Sequence, residues 1–295
     1  MAGRTRGYGC SADRPEKRTL NVPDRPPTTS RRPTALLRTA HLGPALAVTA
    51  IVGLLAVAAD LPPGRTVLVV AAVLTGQLSI GWSNDLIDLP RDRQVGRSDK
   101  PLARGEIEVS TVRAACAVAV LATIPLSLAC GLAAGCTQLV TVAAGWAYNL
   151  GLKSTAWSWL PYAVAFGALP VFVMLSQDPA VVPPPWVPLA GALLGVGAHL
   201  VNALPDFADD AATGVRGLPH RIGARWTPPA ATAVLALASV VICVAAGGHH
   251  PVLVAASLLL VAGLAVIALV GNGRTPFRAA MAIALVDVAL LAGVR

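Results

Sequence analysis

Of 295 residues, 55% are hydrophobic and only 13% are charged, with a formal net charge of +8. Soluble domains carry about 25% charged residues, so the composition excludes an ordinary water-soluble domain. Several apolar runs also reach the roughly 17–20 residues that cross a bilayer.

Residues 1–37 are polar and rich in Arg, Pro, Ser and Thr, with too little apolar surface to fold alone. A secretory signal would place an apolar run near the start. The segment is therefore expected to be a disordered, basic cytoplasmic tail. Nine apolar runs follow, at about 43–59, 66–83, 114–131, 134–152, 159–177, 186–204, 229–247, 251–270 and 279–294, and Asp287 is the one charge inside them. The charge-free stretch 114–152 is too long for one span, and Cys130-Gly131 through Gly135-Cys136 offers small residues for a turn that divides it. The expected fold class is an all-α integral membrane protein. Residues 38–295 form one domain of nine transmembrane helices, bundled around a cavity open to the cytoplasmic side.

Charge asymmetry tests that count. Of the 23 basic residues, 21 precede the first run or follow runs two, four, six and eight. The intervening loops hold only Arg65, and Arg295 ends the chain. Positive residues collect on the cytoplasmic side. This puts the N-terminus inside and the C-terminus outside in a multi-pass cell-membrane protein. The net charge is then mostly a topology signal, and no nucleic-acid partner is expected.

Two acidic clusters end runs two and six. The first holds Asn84, Asp85, Asp88 and Asp92; the second holds Asn202, Asp206, Asp209 and Asp210. In each, Asn and two Asp recur at i, i+4 and i+8, which keeps them on one helical face, while Asp85 points about 100° away. His199 shares the face of Asn202. Pro90 and Pro205 are expected to kink or unwind the helices near the carboxylates. Carboxylates at a membrane boundary are costly unless paired, wet or bound to a cation. Hard oxygen ligands suit Mg²⁺, which commonly also binds phosphate oxygens. One such cluster reads equally as a solvated helix end; two of equal spacing, on the same side, point to a shared magnesium site for a diphosphate.

Asn84-Asp85-x-x-Asp88-x-x-x-Asp92 resembles the NDxxDxxxD motif of the UbiA superfamily of intramembrane prenyltransferases. Asp206-x-x-x-Asp210-x-x-x-Gly214, followed by Leu218, Pro219 and Gly223, resembles its second motif and trailing loop. Lys100-Pro101 stands where many members carry Arg-Pro. The resemblance implies Mg²⁺ held by Asn84, Asp85, Asp88, Asp92, Asp206 and Asp210, with Asn202 assisting. It implies transfer of a prenyl group from an isoprenyl diphosphate to a lipophilic acceptor, typically an aromatic ring, through an allylic carbocation, with Asp88 and Asp206 central to catalysis. A membrane terpene cyclase of the same fold is the nearest alternative. A transporter using intramembrane acids is a weaker one, since transporters place such groups near the midplane.

Supporting residues have two readings each. Arg97, Lys100 and Arg104 either mark the cytoplasmic side or reach phosphate oxygens; the readings balance for Arg104 and tilt to phosphate for the other two. Tyr148-Asn149-Leu-Gly-Leu-Lys153 resembles the family's Tyr…Lys segment. Lys153 is either a snorkelling anchor or a contact of the departing diphosphate, which is favoured. Tyr148 hydrogen-bonds the diphosphate or faces the cation, and Asn149 joins the substrate-binding set. Arg38 and His41 read as interface anchors. Asp287 reads as an internal hydrogen-bond partner, His249 and His250 as exposed in an outer loop, and the six tryptophans as an aromatic belt. The five cysteines show no CxxC spacing and read as packing residues.

Overall fold

The computed structural model describes Gly3, residues 32–204, Phe207, and residues 214–245, 251–271 and 275–293. Among these, every regular element is helical. They are α1 (Arg32–Thr39), α2 (Leu42–Ala58), α3 (Pro63–Gln94), α4 (Val109–Ala129), α5 (Leu132–Asn149), α6 (Leu160–Leu175), α7 (Trp186–Asn202), α8 (Leu218–Ile222), α9 (Thr227–Ala245), α10 (Pro251–Val270) and α11 (Thr275–Gly293). A 3-10 turn spans Leu152–Ser154. Each apolar run coincides with one helix, α2 to α7 and α9 to α11. The long charge-free stretch breaks at Gly131, whose φ of 112° is open to glycine and strained for other residues. Helix α1 starts within the segment expected to be disordered. Most of that tail, Asp206, Asp209, Asp210, His249 and His250 lie outside the described residues.

Pro90 does not end its helix. α3 runs unbroken through it to Gln94, because the residues beyond are held by packing and ion pairs that outweigh the one backbone bond proline removes. Pro205 lies outside the described residues. By length and apolarity, α3, α4 and α9 each suffice to cross a membrane, and the α1–α2 pair, bent by 70°, is a fourth candidate. Helices α6 and α7 are apolar but only 16 and 17 residues long.

Neighbours in sequence pack on one another from α2 to α7; α7 packs on α9, α9 on α10 and α11, and α11 returns to α7 and α2. Two apolar clusters hold this ring. One joins α2, α3 and α6 through Val52, Val69, Val73 and Phe172. The other joins α7, α9 and α11 through Leu194, Leu235 and Ile283. Asp287, fully buried on α11, accepts a 2.5 Å hydrogen bond from Ser239 Oγ on α9, so this buried acid is an inter-helix link. Two tryptophans depart from a belt: Trp82 is buried and donates to Leu36 O at 3.0 Å, and Trp146 donates to Ser79 Oγ at 3.3 Å. Trp157 and Trp226 are exposed, as belt residues are.

The turn between α1 and α2 lies directly on α3. Gly81 makes room for it, since a Cβ there would collide with the backbone carbonyl of Ala40. Gly81→Val is expected to destabilise the protein by about 1–3 kcal/mol, read as a lower thermal midpoint in detergent, while Gly43→Ala, where a Cβ meets nothing within 4 Å, leaves it unchanged.

Candidate functional site

The last turns of α3 carry the first acidic cluster, and every carboxylate in it is paired. Lys153 Nζ lies 2.5 and 2.6 Å from the two Asp88 oxygens. Lys100 Nζ bridges Asp85 Oδ1 at 3.0 Å and Asp92 Oδ2 at 2.9 Å. His41 Nε2 is 2.8 Å from Asp85 Oδ1. Asp85, Asp88, Asp92 and Lys100 are all buried. Removing an ion from water costs several kcal/mol unless a partner offsets it, so these pairs decide where the loop and the 3-10 turn sit. Burial acts against the Lys100 charge, but Asp85 and Asp92 outweigh it and raise Lys100 above the ordinary lysine range. At Lys153 the balance reverses: burial wins over Asp88 and lowers it.

Helix α5 ends beside α3. The Asn149 amide donates to Ile80 O and Ser83 Oγ, both at 2.9 Å, and its Oδ1 accepts from Asn84 Nδ2 at 3.2 Å. Asn149 thus orients Asn84. Donating its amide N–H leaves Asn84 Oδ1 as the group available to a cation. Tyr148, Tyr162 and His199 meet edge-on or tilted, with ring centroids 4.9–5.9 Å apart. Tyr162 also hydrogen-bonds Asn202, the first member of the second cluster. His199, buried on α7, shares a 2.9 Å hydrogen bond with Ser158 Oγ, which also accepts the Leu218 N–H at 2.8 Å. One hydroxyl therefore ties α7 to the chain that leaves the second cluster.

A cavity of about 460 Å³ lies between the first cluster and Asn202, within the range of small-molecule sites. Its wall brings together Asn84, Asp88, Arg97, Lys100, Tyr148, Asn149, Lys153 and Asn202 from the expected set. Asp85 and Asp92 are buried behind this wall, against Lys100. Arg104 is not on it: this exposed side chain pairs with Glu106 at 3.0 Å. Arg97 faces the cavity while forking onto Asp99 at 2.9 and 2.8 Å. That hydrogen bonding holds the Asp99 carboxyl down at about 2. Asp206 and Asp210 lie outside the described residues.

Sequence reasoning missed four residues. His41 is a cavity residue rather than an interface anchor; its left-handed backbone (φ 51°) and its bond to Asp85 turn it inward. Such backbone costs of order 1–3 kcal/mol and collects at functional sites. Arg91 and Tyr162 also line the cavity, and Ser158 braces it. Arg91 was legible as a charge one step from Asp92; the others had no sequence signal.

The donor set fits magnesium in kind. Amide and carboxylate oxygens lie together at the end of α3, and Asp92 Oδ1 is buried with no hydrogen-bond partner. Among the described residues, no group of three or more acidic, His or Cys side chains closes on one point, so the first cluster alone does not form a full cage.

The UbiA prenyltransferase family model matches residues 46–286. No curated protein matches the chain. Among solved structures, a digeranylgeranylglyceryl phosphate synthase superposes with a TM-score of 0.66 at 19% identity, covering 88% of this chain and 96% of that one. A UbiA homologue from Archaeoglobus fulgidus, bound to GPP and Mg²⁺, gives 0.66 at 15% identity, covering 88% and 99%. An apo UbiA homologue from Aeropyrum pernix K1 gives 0.64 at 16% identity, covering 88% and 97%. At these identities the likeness concerns the fold.

Lys100→Met leaves Asp85 and Asp92 buried without their shared cation. It is expected to cost about 3–5 kcal/mol, measured as a large drop in thermal midpoint, whereas Arg104→Met at the exposed rim changes the midpoint by less than about 1 kcal/mol equivalent.

Proposed function

The chain belongs to the UbiA prenyltransferase family, and from that premise we propose that it transfers a prenyl group from an isoprenyl diphosphate to a lipophilic acceptor within the membrane. The acceptor is a nucleophile, most simply an electron-rich aromatic ring. The observation that carries this reading is one cavity with Asn84 and Asp88 on one wall, Asn202 on another, and Lys100, Lys153 and Arg97 around them. Cations and hard oxygen donors meet there beside the aromatic rings of Tyr148 and Tyr162.

Asn84, Asp85, Asp88 and Asp92 of the first cluster, with Asp206 and Asp210 of the second, are the residues proposed to hold Mg²⁺. Bound magnesium neutralises diphosphate charge and eases its departure. Lys153 donates to an oxygen of the leaving diphosphate, and its position is set by Asp88. Lys100 and Arg97 add positive potential on the same side, favouring the charge that develops there. The C1–O bond breaks, its electron pair leaves with the diphosphate, and an allylic cation remains. Tyr148, Tyr162 and His199 face the cavity with ring surfaces that attract a cation. They also exclude water that would capture it. The acceptor attacks C1 and loses a proton. Nine helices crossing the bilayer, with the N-terminus and the cavity on the cytoplasmic side, fit the distribution of basic residues.

Membranes carrying the protein, given labelled geranyl diphosphate, Mg²⁺ and candidate aromatic acceptors, should form a prenylated acceptor and release diphosphate. Asp88→Ala should lower that rate by at least about 100-fold, the scale for removing a group that stabilises developing charge. Retained turnover would count against the site. A cyclised hydrocarbon or terpene alcohol formed equally well without acceptor would assign the chain to the terpene cyclases instead.

A further inference from the structure

We propose that Arg91, between the metal-ligand candidates Asp88 and Asp92, is a diphosphate-binding residue of this cavity. The inference rests on the prenyl-diphosphate reading above and adds a residue to it. Arg91 lines the cavity. Its side chain is one-quarter exposed, but its Nε is buried and has no hydrogen-bond partner. The other basic groups on the wall are committed more closely. Lys153 holds both oxygens of Asp88 at 2.5 and 2.6 Å, Lys100 holds Asp85 and Asp92 at 3.0 and 2.9 Å, and Arg97 forks onto Asp99 at 2.9 and 2.8 Å. Arg91 Nη2 stands 3.4 Å from Asp88 Oδ2 and 3.7 Å from Asp92 Oδ1. The first is a long hydrogen bond, and the second is beyond hydrogen-bond reach.

A guanidinium keeps its charge, and its planar fork matches an anion with paired oxygens. Nε is closed off, so Arg91 meets the cavity with the exposed quarter of its side chain, where Nη2 has only a long bond to Asp88. The anion expected there is a diphosphate. Arg91 donates through its Nη–H groups to diphosphate oxygens. Its place three residues after Asp88, on the same helix, sets the anion beside the metal ligands. The same fork serves the headgroup of a prenyl diphosphate and free pyrophosphate, so the residue holds both substrate and product.

The test uses the full chain in lipid nanodiscs and calorimetric binding of two probes at saturating Mg²⁺: inorganic pyrophosphate and a non-reactive thio analogue of geranyl diphosphate. Arg91→Gln is expected to weaken both by about tenfold or more, as for loss of hydrogen bonds to a charged group. Arg91→Lys should recover part of the loss, since it restores charge without the fork. Binding of Mn²⁺ alone, followed by its paramagnetic resonance signal, should stay unchanged in both variants. Unchanged pyrophosphate affinity in Arg91→Gln overturns the proposal. So does an equal loss of Mn²⁺ binding without anion, which would make Arg91 a mere tether of Asp88. If Arg91→Gln fails to fold, Arg91→Lys decides alone, and wild-type affinity in it overturns the assignment. Wild-type protein that binds neither probe sinks the prenyl-diphosphate reading itself. Pyrophosphate affected but the thio analogue not restricts Arg91 to the product and overturns its role with substrate.

Discussion

The cost of burying charge organises this molecule. Three carboxylates sit at the end of one helix in a body that otherwise avoids ions, and each is met by a cation from another segment. Because an unpaired buried ion is worth several kcal/mol of instability, the partners cannot drift. Asp88 fixes the turn after α5 through Lys153, Asp85 and Asp92 fix the loop after α3 through Lys100, and Asp85 fixes the α1–α2 turn through His41. The same attraction that assembles the fold thereby gathers the groups proposed to grip a diphosphate.

Neutral contacts complete the frame. Asn149 sets the amide of Asn84, and Ser158 joins His199 to the backbone beyond the second cluster. Asn84 is thus positioned by a neighbouring helix as well as by its own. Gly81 has a comparable part. By lacking a side chain it lets the α1–α2 turn lie against α3, which is what brings His41 to Asp85.

Much of this was readable from the chain. Eight of the nine apolar runs match helices to within about five residues, because hydrophobicity and helical length are properties of local sequence; run two ends at 83, and its helix continues through the charged turns to Gln94. The break at Gly131 followed from small residues alone. The i, i+4, i+8 spacing put Asn84 and Asp88 on the cavity wall, but Asp92, the third member, lies behind it against Lys100. What sequence could not yield was the pairing across segments: that Lys100 would serve Asp85 and Asp92 together, that Asn149 would spend its amide on α3, or that Arg104 would turn out to Glu106. Those depend on which side chains meet after folding, and no periodicity encodes them. Pro90 was expected to kink or unwind its helix; it does not unwind it, since α3 continues to Gln94.

Helix α3 has 32 residues, about 48 Å at 1.5 Å per residue, against a hydrocarbon layer of about 30 Å. A single rigid rod therefore reaches from oil into the headgroup zone. On the proposed reading, its apolar portion lies at the depth where an isoprenoid tail dissolves, and its acidic tip lies where the diphosphate is held. An amphiphile laid along this rod finds each of its ends in the medium it prefers, so the rod itself measures out how deep the reacting carbon sits.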